Sequence, residues 1–219
     1  MPMPTASPPE HPVAFQRIDR FVGRTMNWFY DHMRVLPRHR PVIICSVLEN
    51  RLEFPKFEAM RLTCDRLGAR VWNKLSPRSL YPLEVRRLRA LKPKAFHSHL
   101  GYVAIHDARN PYSLDIPWLV SFYGADVYLH ARDPKWVEAY QPVYARADRV
   151  LSLGPAMSAG LAAMGCDPKK IVIHPLGVDA VAMPHRPRVR EPGEPLRVLF
   201  AGTFREKKGG GISWRPSEP

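Results

Sequence analysis

The sequence predicts an α/β fold with a doubly wound parallel sheet. Short apolar strands alternate with segments of helical length along 219 residues. Hydrophobic residues make up 45% of the chain, which is enough to bury a sheet beneath helices on both faces. Apolar runs such as "VIICSVL" are bounded by proline or polar residues and are too short to cross a bilayer.

The first elements follow from the spacing of apolar residues. From Phe15, apolar side chains recur at steps of three and four and predict one face of a long helix: Ile18, Val22, Met26, Phe29, Met33 and Leu36. The first strand is then "VIICSV", after Pro41. A second helix is indicated by a further set that ends at Gly68: Phe57, Met60, Cys64 and Leu67.

The middle of the chain continues the alternation. "ARVWNKL" predicts the next strand, and Ser76 with Pro77 begins a helix that ends before Pro93. Four further short strands follow, separated by segments of helical length: "KAFHSH", "PWLVSF", "RVLSL" and "KIVIH". These patterns predict a parallel sheet covered on both faces.

Changes of composition divide the chain. Residues 1–14 are a proline-rich tail that we expect to be disordered, and residues 15–179 form the α/β domain. Residues 180–195 are rich in Pro and Arg and predict an exposed linker. Residues 196–219 begin with the apolar strand "LRVLFAG" and predict the start of a second domain.

Charge and cysteine content limit the classes of partner. Lys and Arg number 33 and Asp and Glu 20, so the net charge of +13 predicts an anionic partner. Five basic residues form a cluster that is either a solvated face or a contact for anionic lipid or substrate: Arg86, Arg87, Arg89, Lys92 and Lys94. Cys45, Cys64 and Cys166 have no paired spacing, which excludes a disulfide framework or zinc knuckle and favours a reducing cytoplasm.

Two histidines mark a candidate site. His97 and His99 lie two apart on a predicted strand, so their side chains share one face near its carboxyl end, where open α/β sheets bind ligands. A metal pair would require further ligands that the sequence does not supply, and hydrogen-bonded histidines are the simpler interpretation. In "SFYGADVY", Gly124 permits a close backbone approach, and Asp126 either caps a helix or binds a hydroxyl group.

Other catalytic motifs are poorly supported. "AMSAG" differs at one position from a nucleophile elbow, but a helix opened by Gly154 and Pro155, with Leu161 and Met164 on its inner face, is the simpler interpretation. A metal-dependent or serine-dependent hydrolase is therefore a weaker alternative. The first predicted strand lacks the G-x-G-x-x-G turn, and no P-loop motif occurs.

Four segments in order resemble retaining glycosyltransferases of family 4. These are "FHSHLGYVAIHDAR", "IPWLVSFYGADVY", "ADRVLSLGPAMSAGLAAMGCDPKKIVIHPLGVD" and "RVLFAGTFREKKG", within residues 42–209. The resemblance implies the GT-B architecture, in which two Rossmann-like domains face each other. It implies that the first domain holds the acceptor and the second holds a nucleotide-sugar donor, with no cofactor and no metal.

The resemblance also implies roles for particular residues. "GTFREKKG" is similar to the family's donor loop and suggests donor binding by Gly202, Thr203, Arg205 and Lys208. Thr203 stands where the family has a basic residue and cannot supply a cation, although nearby Arg205 could substitute for it. The family's histidine in the loop "SFYGADV" is here Tyr123, so the catalytic candidates are His99 and Asp126, beside an acceptor-side loop of Gly101, Tyr123 and Gly124.

The final segment, "GGISWRPSEP", departs from the family pattern. Its consecutive glycines and Pro216 oppose the helix that the family would have there. The hypothesis is a truncated or frameshifted glycosyltransferase that is inactive alone. The expected partners are a nucleotide sugar, a saccharide or lipid-linked acceptor and the anionic inner membrane face, and not nucleic acid. A non-catalytic binding module is the alternative.

Overall fold

The computed structural model describes residues 11–23, 26–50, 52–53, 57–61, 71–72, 74–76, 82–182, 187, 189, 191–195 and 199. The chain divides into two units, Met1–Val178 and Asp179–Pro219. The first unit contains all the helices and strands of the described residues. Of the second unit, only residues 179–182, 187, 189, 191–195 and 199 are described.

A seven-stranded sheet forms the centre of the first unit. Its strands are β1 (Val13–Phe21), β2 (Arg40–Leu48), β3 (Glu58–Arg61), β4 (Pro93–His99), β5 (Trp118–Ser121), β6 (Arg149–Ser152) and β7 (Ile171–Ile173). Their spatial order is β3-β2-β1-β4-β5-β6-β7, and every neighbouring pair is parallel. The predicted fold class, a doubly wound, Rossmann-like parallel sheet, is confirmed.

Helices connect the strands, as parallel pairing requires. They are α1 (Asn27–Arg34), α2 (Pro82–Arg89), α3 (Gly101–Asp107), α4 (Arg109–Leu114), α5 (Ala125–Tyr128), α6 (Pro134–Arg146) and α7 (Pro155–Ala163). Short 3₁₀ helices span His130–Arg132 and Pro168–Lys170. At the start of α6, Asp133 accepts a hydrogen bond from the Lys135 amide and Pro134 occupies the first turn, a common helix-start arrangement.

Two hydrophobic clusters lie on opposite faces of the sheet. The larger includes Phe15, Val42 and Phe96 together with side chains from α6 and α7. The smaller includes Ile18 and Ile43 and is covered by Phe29 and Met33 of α1. Because side chains alternate along a strand, β1 contributes to both clusters.

The long helix predicted from Phe15 to Leu36 is wrong in its first half. Residues Val13–Phe21 form β1, and the α-helix of this stretch spans only Asn27–Arg34. The six residues from Val13 to Ile18 are all buried, which requires cover on two faces and suits a central strand. β1 also begins inside the predicted tail of residues 1–14.

The next two predicted elements are also wrong. Glu58–Arg61, assigned to a helix, pairs with β2 as edge strand β3. Within the predicted strand "ARVWNKL", Val71, Trp72, Lys74 and Leu75 are helical, and Leu75 is 78% exposed, which does not suit a buried strand. Residues 62–70 lie outside the described residues.

From residue 82 onward the sequence pattern was a better guide. Helix α2 lies within the segment predicted to be helical before Pro93. All four strands predicted after it are confirmed as β4, β5, β6 and β7. The apolar strand predicted within residues 196–202 lies outside the described residues except for Leu199, so the division into linker and second domain stays a prediction.

The structure provides no helix, among its described residues, with the length and apolar character needed to cross a bilayer.

Two buried tyrosines on α6 provide a test of the core. The Tyr144 hydroxyl is buried and has no hydrogen-bond partner among the described residues, whereas the Tyr140 hydroxyl lies 2.6 Å from His130 Nδ1. We expect Tyr144→Phe to leave the free energy of unfolding unchanged or raise it by up to about 1 kcal/mol, because it removes an unsatisfied polar group. Tyr140→Phe, the matched control, should lower it by about 1 kcal/mol. Urea denaturation measures both, and equal losses would contradict the assignment.

Candidate functional site

A small cavity of about 70 Å³ lies at the carboxyl edge of the sheet. It is bordered by Gln16 in the middle of β1, by residues at the ends of β4, β5 and β6, and by the segment after β7. Open parallel sheets bind ligands at this edge, because helix amino ends and strand-end loops converge there. Four histidines line the cavity: His32, His97, His99 and His174.

The two histidines of β4 lie side by side, as their spacing predicted. The ring centroids of His97 and His99 are 4.0 Å apart. His97 Nε2 is 2.8 Å from Ser121 Oγ, and His99 Nδ1 is 2.6 Å from the Tyr123 hydroxyl. His99 Nε2 is 2.9 Å from Gln16 Oε1. The Gln16 oxygen only accepts, so His99 carries its proton on Nε2 and Nδ1 accepts from Tyr123.

Aromatic rings hold His99 in place. Its ring meets Phe29 edge to face at 4.6 Å between centroids and stacks on Tyr123 at 6.0 Å. Tyr123 in turn contacts Trp28 at 4.7 Å between centroids. Aromatic side chains of helix α1 therefore pack against His99 and Tyr123 and restrict the rotation of the imidazole.

The site favours uncharged histidines. Burial lowers the pKa of His97 to about 3, and the nearby His174 and His32 add to this effect. Burial also lowers the pKa of His99 well below its usual value, with a further contribution from His97. Burial and His174 lower the pKa of His32. At neutral pH His97 and His99 are therefore neutral hydrogen-bonding groups, poor at accepting a proton from a substrate.

Asp126 holds the loops on either side of these histidines. The carboxylate is 2% exposed and accepts hydrogen bonds from the backbone amides of Gly101, Tyr123 and Gly124, at 3.0, 3.1 and 2.8 Å. It does not cap α5, whose N-cap is Gly124. Of the two sequence alternatives, a role at the helix start is seen only in the hydrogen bond from the amide of the N-cap residue, Gly124, and hydroxyl binding stays a prediction.

Two glycines permit this arrangement. A Cβ atom on Gly101 would lie 2.2 Å from the Phe122 ring, so any larger residue would force a shift. Gly124 has a φ of +142°, a conformation that residues with a side chain rarely adopt. Both positions therefore require glycine for the β4–α3 and β5–α5 loops to meet.

The structure brings together all the candidates on the acceptor side. His99, Asp126, Gly101, Tyr123 and Gly124 lie at one edge, although their catalytic and acceptor roles stay predictions. The proposed donor residues lie outside the described residues: Gly202, Thr203, Arg205 and Lys208.

Sequence reasoning missed four members of the site. Gln16 was hidden because β1 was predicted as a helix, and His32 lay on the same predicted helix. Ser121 carried a usable signal, since it lies near the carboxyl end of the predicted strand "PWLVSF", two residues before Tyr123. His174 ends a predicted strand and could have been placed at the edge by that argument.

The alternative chemistries receive no support from this edge. Within the described ranges, no group of three or more His, Cys, Asp or Glu side chains could hold a metal ion. Ser158 lies inside α7, where its hydroxyl contacts Ser152 Oγ at 2.7 Å and donates to the Gly154 carbonyl at 3.2 Å. The helix interpretation of "AMSAG" is confirmed, with Leu161 and Met164 buried, and the nucleophile elbow is wrong.

The all-parallel, Rossmann-like sheet with its cavity at the carboxyl edge is the kind of domain that makes up one half of GT-B glycosyltransferases. Residues 19–177 match the family model described as Glycosyl transferase 4-like domain, so the chain belongs to this family. The chain is thus a glycosyltransferase family 4 domain.

Two curated relatives agree with this assignment. The colanic acid biosynthesis glycosyltransferase WcaL of Salmonella typhimurium is 33% identical over 88 residues, which span 40% of this chain and 21% of WcaL. WcaL of Escherichia coli is 31% identical over the same share of each chain. The matches therefore span about a fifth of the length of these relatives.

Among solved structures, Anabaena HepE in complex with UDP and glucose has a TM-score of 0.61 at 12% identity, covering 78% of this chain and 46% of HepE. HepE in complex with UDP-glucose has a TM-score of 0.59 at 12% identity, covering 78% and 45%. At this identity the likeness establishes the fold alone.

The neutral histidines predict an acid-sensitive fold. The folded-state pKa of His97 lies below the usual value near 6.5, so the unfolded chain binds more protons between about pH 6.5 and 3. The free energy of unfolding should therefore fall as pH falls through this window, by at most about 1.4 kcal/mol per pH unit for each such histidine. Denaturant titrations at several pH values measure the slope.

A pair of variants isolates this effect. His97→Gln should reduce the slope of stability against pH, because it removes a group that must charge on unfolding. His106→Gln removes an exposed histidine of α3 and is the matched control. An unchanged slope in His97→Gln would contradict the neutral, buried state of His97.

Proposed function

We propose that this domain forms the acceptor side of an enzyme that transfers a sugar from a nucleotide-sugar donor to a saccharide or lipid-linked acceptor. The observation that carries the proposal is the family match over residues 19–177, which includes all but one residue of the histidine network described above. The exception is Gln16, which lies on the first strand just before the matched range.

The chemistry of the cavity supports a binding role toward hydroxyl groups. Neutral imidazoles, a serine and a tyrosine offer both donors and acceptors without net charge, which suits the hydroxyl groups of a sugar. Because the pKa of His97 is about 3 and that of His99 is also lowered, neither would act efficiently as a general base at neutral pH. We therefore assign His99 a positioning role and Asp126 the role of fixing the loops beside it.

Sugar transfer needs charge stabilisation, and none of the described residues that line the cavity is Lys or Arg. When the bond between sugar and diphosphate breaks, negative charge builds on the leaving group, and fixed cations lower the barrier. In this proposal Lys208, with Arg205, supplies that charge from the loop that resembles the family's donor loop. UDP in the HepE complexes is consistent with a nucleotide-sugar donor.

A second candidate is a binding module that recognises the acceptor without turnover. One sequence observation favours it: Thr203 occupies the position where the family has a basic residue. With one of two cations absent, we expect weak donor binding and little transfer by this chain alone. Transfer of labelled sugar from UDP-glucose to bacterial oligosaccharides would favour the enzyme, and oligosaccharide binding without transfer would favour the module.

A gain-of-function variant tests the donor loop. Thr203→Arg should strengthen UDP-glucose binding about tenfold, because a charge-assisted hydrogen bond to a phosphate contributes about 1.5–3 kcal/mol. Thr203→Met, of similar length without charge, is the control and should leave the affinity as it is. In the Thr203→Arg background, Lys208→Ala should remove the gain while Lys207→Ala should not. Titration calorimetry measures each affinity.

The outcomes separate the proposals. If Thr203→Arg and Thr203→Met behave alike, the loop does not hold a diphosphate and the donor side of the proposal is wrong. If the unmodified chain binds no oligosaccharide, the acceptor side is wrong.

A further inference from the structure

A groove lies beside α2 and α4, away from the histidine cavity. It consists of two cavities of about 530 and 770 Å³ that share Tyr112 and Ser113. The larger is lined by Pro117 and Trp118 at the start of β5 and by Asp148 just before β6. Since the strands are parallel, the groove lies at the amino edge, opposite the edge that carries the histidines. Each cavity falls within the range of about 300–1,000 Å³ typical of small-molecule sites.

The smaller cavity is aromatic and basic. One face of α2 lines it with Pro82, Val85, Arg86 and Arg89, which are spaced i, i+3, i+4 and i+7 and so lie on the same side of a helix. Trp72 and Tyr112 also line this cavity. Arg89 Nη2 donates a hydrogen bond to the Ser113 carbonyl at 3.0 Å, which ties α2 to α4 and leaves four guanidinium N–H donors.

The Arg86 side chain has more uncommitted hydrogen-bond donors than that of Arg89. Over the described part of the chain, its side chain makes no hydrogen bond or ion pair, and none of the described residues lining this cavity is acidic. Two arginines with uncommitted donors are suited to a carboxylate, which they can bind through paired N–H groups.

The larger cavity combines opposite charges around an aromatic ring. The Arg146 guanidinium carbon lies 5.4 Å from the centre of the Tyr112 ring, a cation–π contact that orients a 64% exposed tyrosine. Asp115 and Asp148 also line this cavity, and Asp148 Oδ2 accepts a hydrogen bond from the Trp118 amide at 2.7 Å. Carboxylate oxygens accept hydrogen bonds from hydroxyl groups.

We propose that this groove binds an acidic oligosaccharide that carries carboxylate groups, at a site separate from the reacting edge. Arg86 and Arg89 bind the acid group, the flat faces of Tyr112 and Trp72 pack against sugar rings, and Asp115 and Asp148 accept from sugar hydroxyls. Asp115 and Asp148 line the larger cavity and would repel an acid group there, so the proposal places the acid group in the smaller cavity, beside Arg86 and Arg89. The proposal goes beyond the acceptor role proposed above and does not depend on it.

The arginines of the basic cluster differ in their position relative to the groove, and this difference favours a ligand in the groove over contact with a flat membrane. Arg86 and Arg89 line the cavity, whereas Arg87 is exposed on the same helix but is not among the lining residues. A bilayer surface attracts basic residues by long-range electrostatics and would respond to the loss of any of the three. A bound acid group responds only to the arginines it contacts.

The experiment uses trigalacturonic acid as the probe and the full chain. Titration calorimetry should show binding, with Arg86→Gln weakening it at least about tenfold, the effect expected for a charge-assisted hydrogen bond. Arg87→Gln is the matched control, with the same charge change one residue away, and should stay within about twofold. Tyr112→Ala should also weaken binding, and maltotriose, a neutral trisaccharide, should bind at least about tenfold more weakly. Thermal unfolding of each variant confirms that it folds.

Several results would overturn the proposal. These are no binding of trigalacturonic acid, equal affinity for maltotriose, or equal losses in Arg86→Gln and Arg87→Gln. Salt-sensitive binding to phosphatidylglycerol vesicles that weakens equally in Arg86→Gln, Arg87→Gln and Arg89→Gln, without trisaccharide binding, would identify a membrane-facing surface in its place. His97→Gln should leave trisaccharide binding unchanged, and a loss there would show that the probe binds the reacting edge.

Discussion

Two adjacent polar residues on the central strand β1 must both be satisfied inside the protein. Gln16 and Arg17 are buried and point to opposite faces of the sheet. On one face, Arg17 Nε contacts Asp107 Oδ1 at 3.0 Å, and Ser98 Oγ donates to the same carboxylate at 2.8 Å. On the other face, Gln16 binds His99. A buried charge without a partner would cost several kcal/mol. Strand β1 therefore fixes the position of α3 through Asp107 and the position of the His99 imidazole through Gln16.

The histidines of the resulting site are uncharged and held in fixed positions. Burial lowers the pKa of both histidines of β4. The Asp126 carboxylate is bound by three main-chain amides. In the function proposed above, this edge positions hydroxyl groups, and cations from the loop that contains Lys208 stabilise the leaving diphosphate.

The sequence predicted secondary structure correctly where the residues of an element were enough to identify it. Strands β4 to β7 are short apolar runs with clear boundaries, and the spacing of His97 and His99 was enough to identify the carboxyl edge. The prediction failed for β1, where the burial of a side chain depends on which strands and helices pack against it. Residues 13–21 contain Gln16, Arg17, Asp19 and Arg20, and this mixture of polar and apolar residues is also typical of a helix with one buried face. Only the folded structure, in which β1 is covered on both faces, shows that Gln16 and Arg17 have buried partners. Gln16 became visible as part of the site only when the strand order placed β1 beside β4.

The same strand order affects how the chain is made. Val13 pairs with Arg40 on one side and with Pro93 on the other. During synthesis, at about 5–20 residues per second, β1 and β2 can associate early, but the second edge of β1 stays without its neighbour for seconds until β4 leaves the ribosome. That edge carries Phe15 and the unpaired backbone of a central strand, both of which attract other chains. The nascent protein thus passes through a period in which one side of its central strand is unpaired, and association with other chains is favoured until β4 is made.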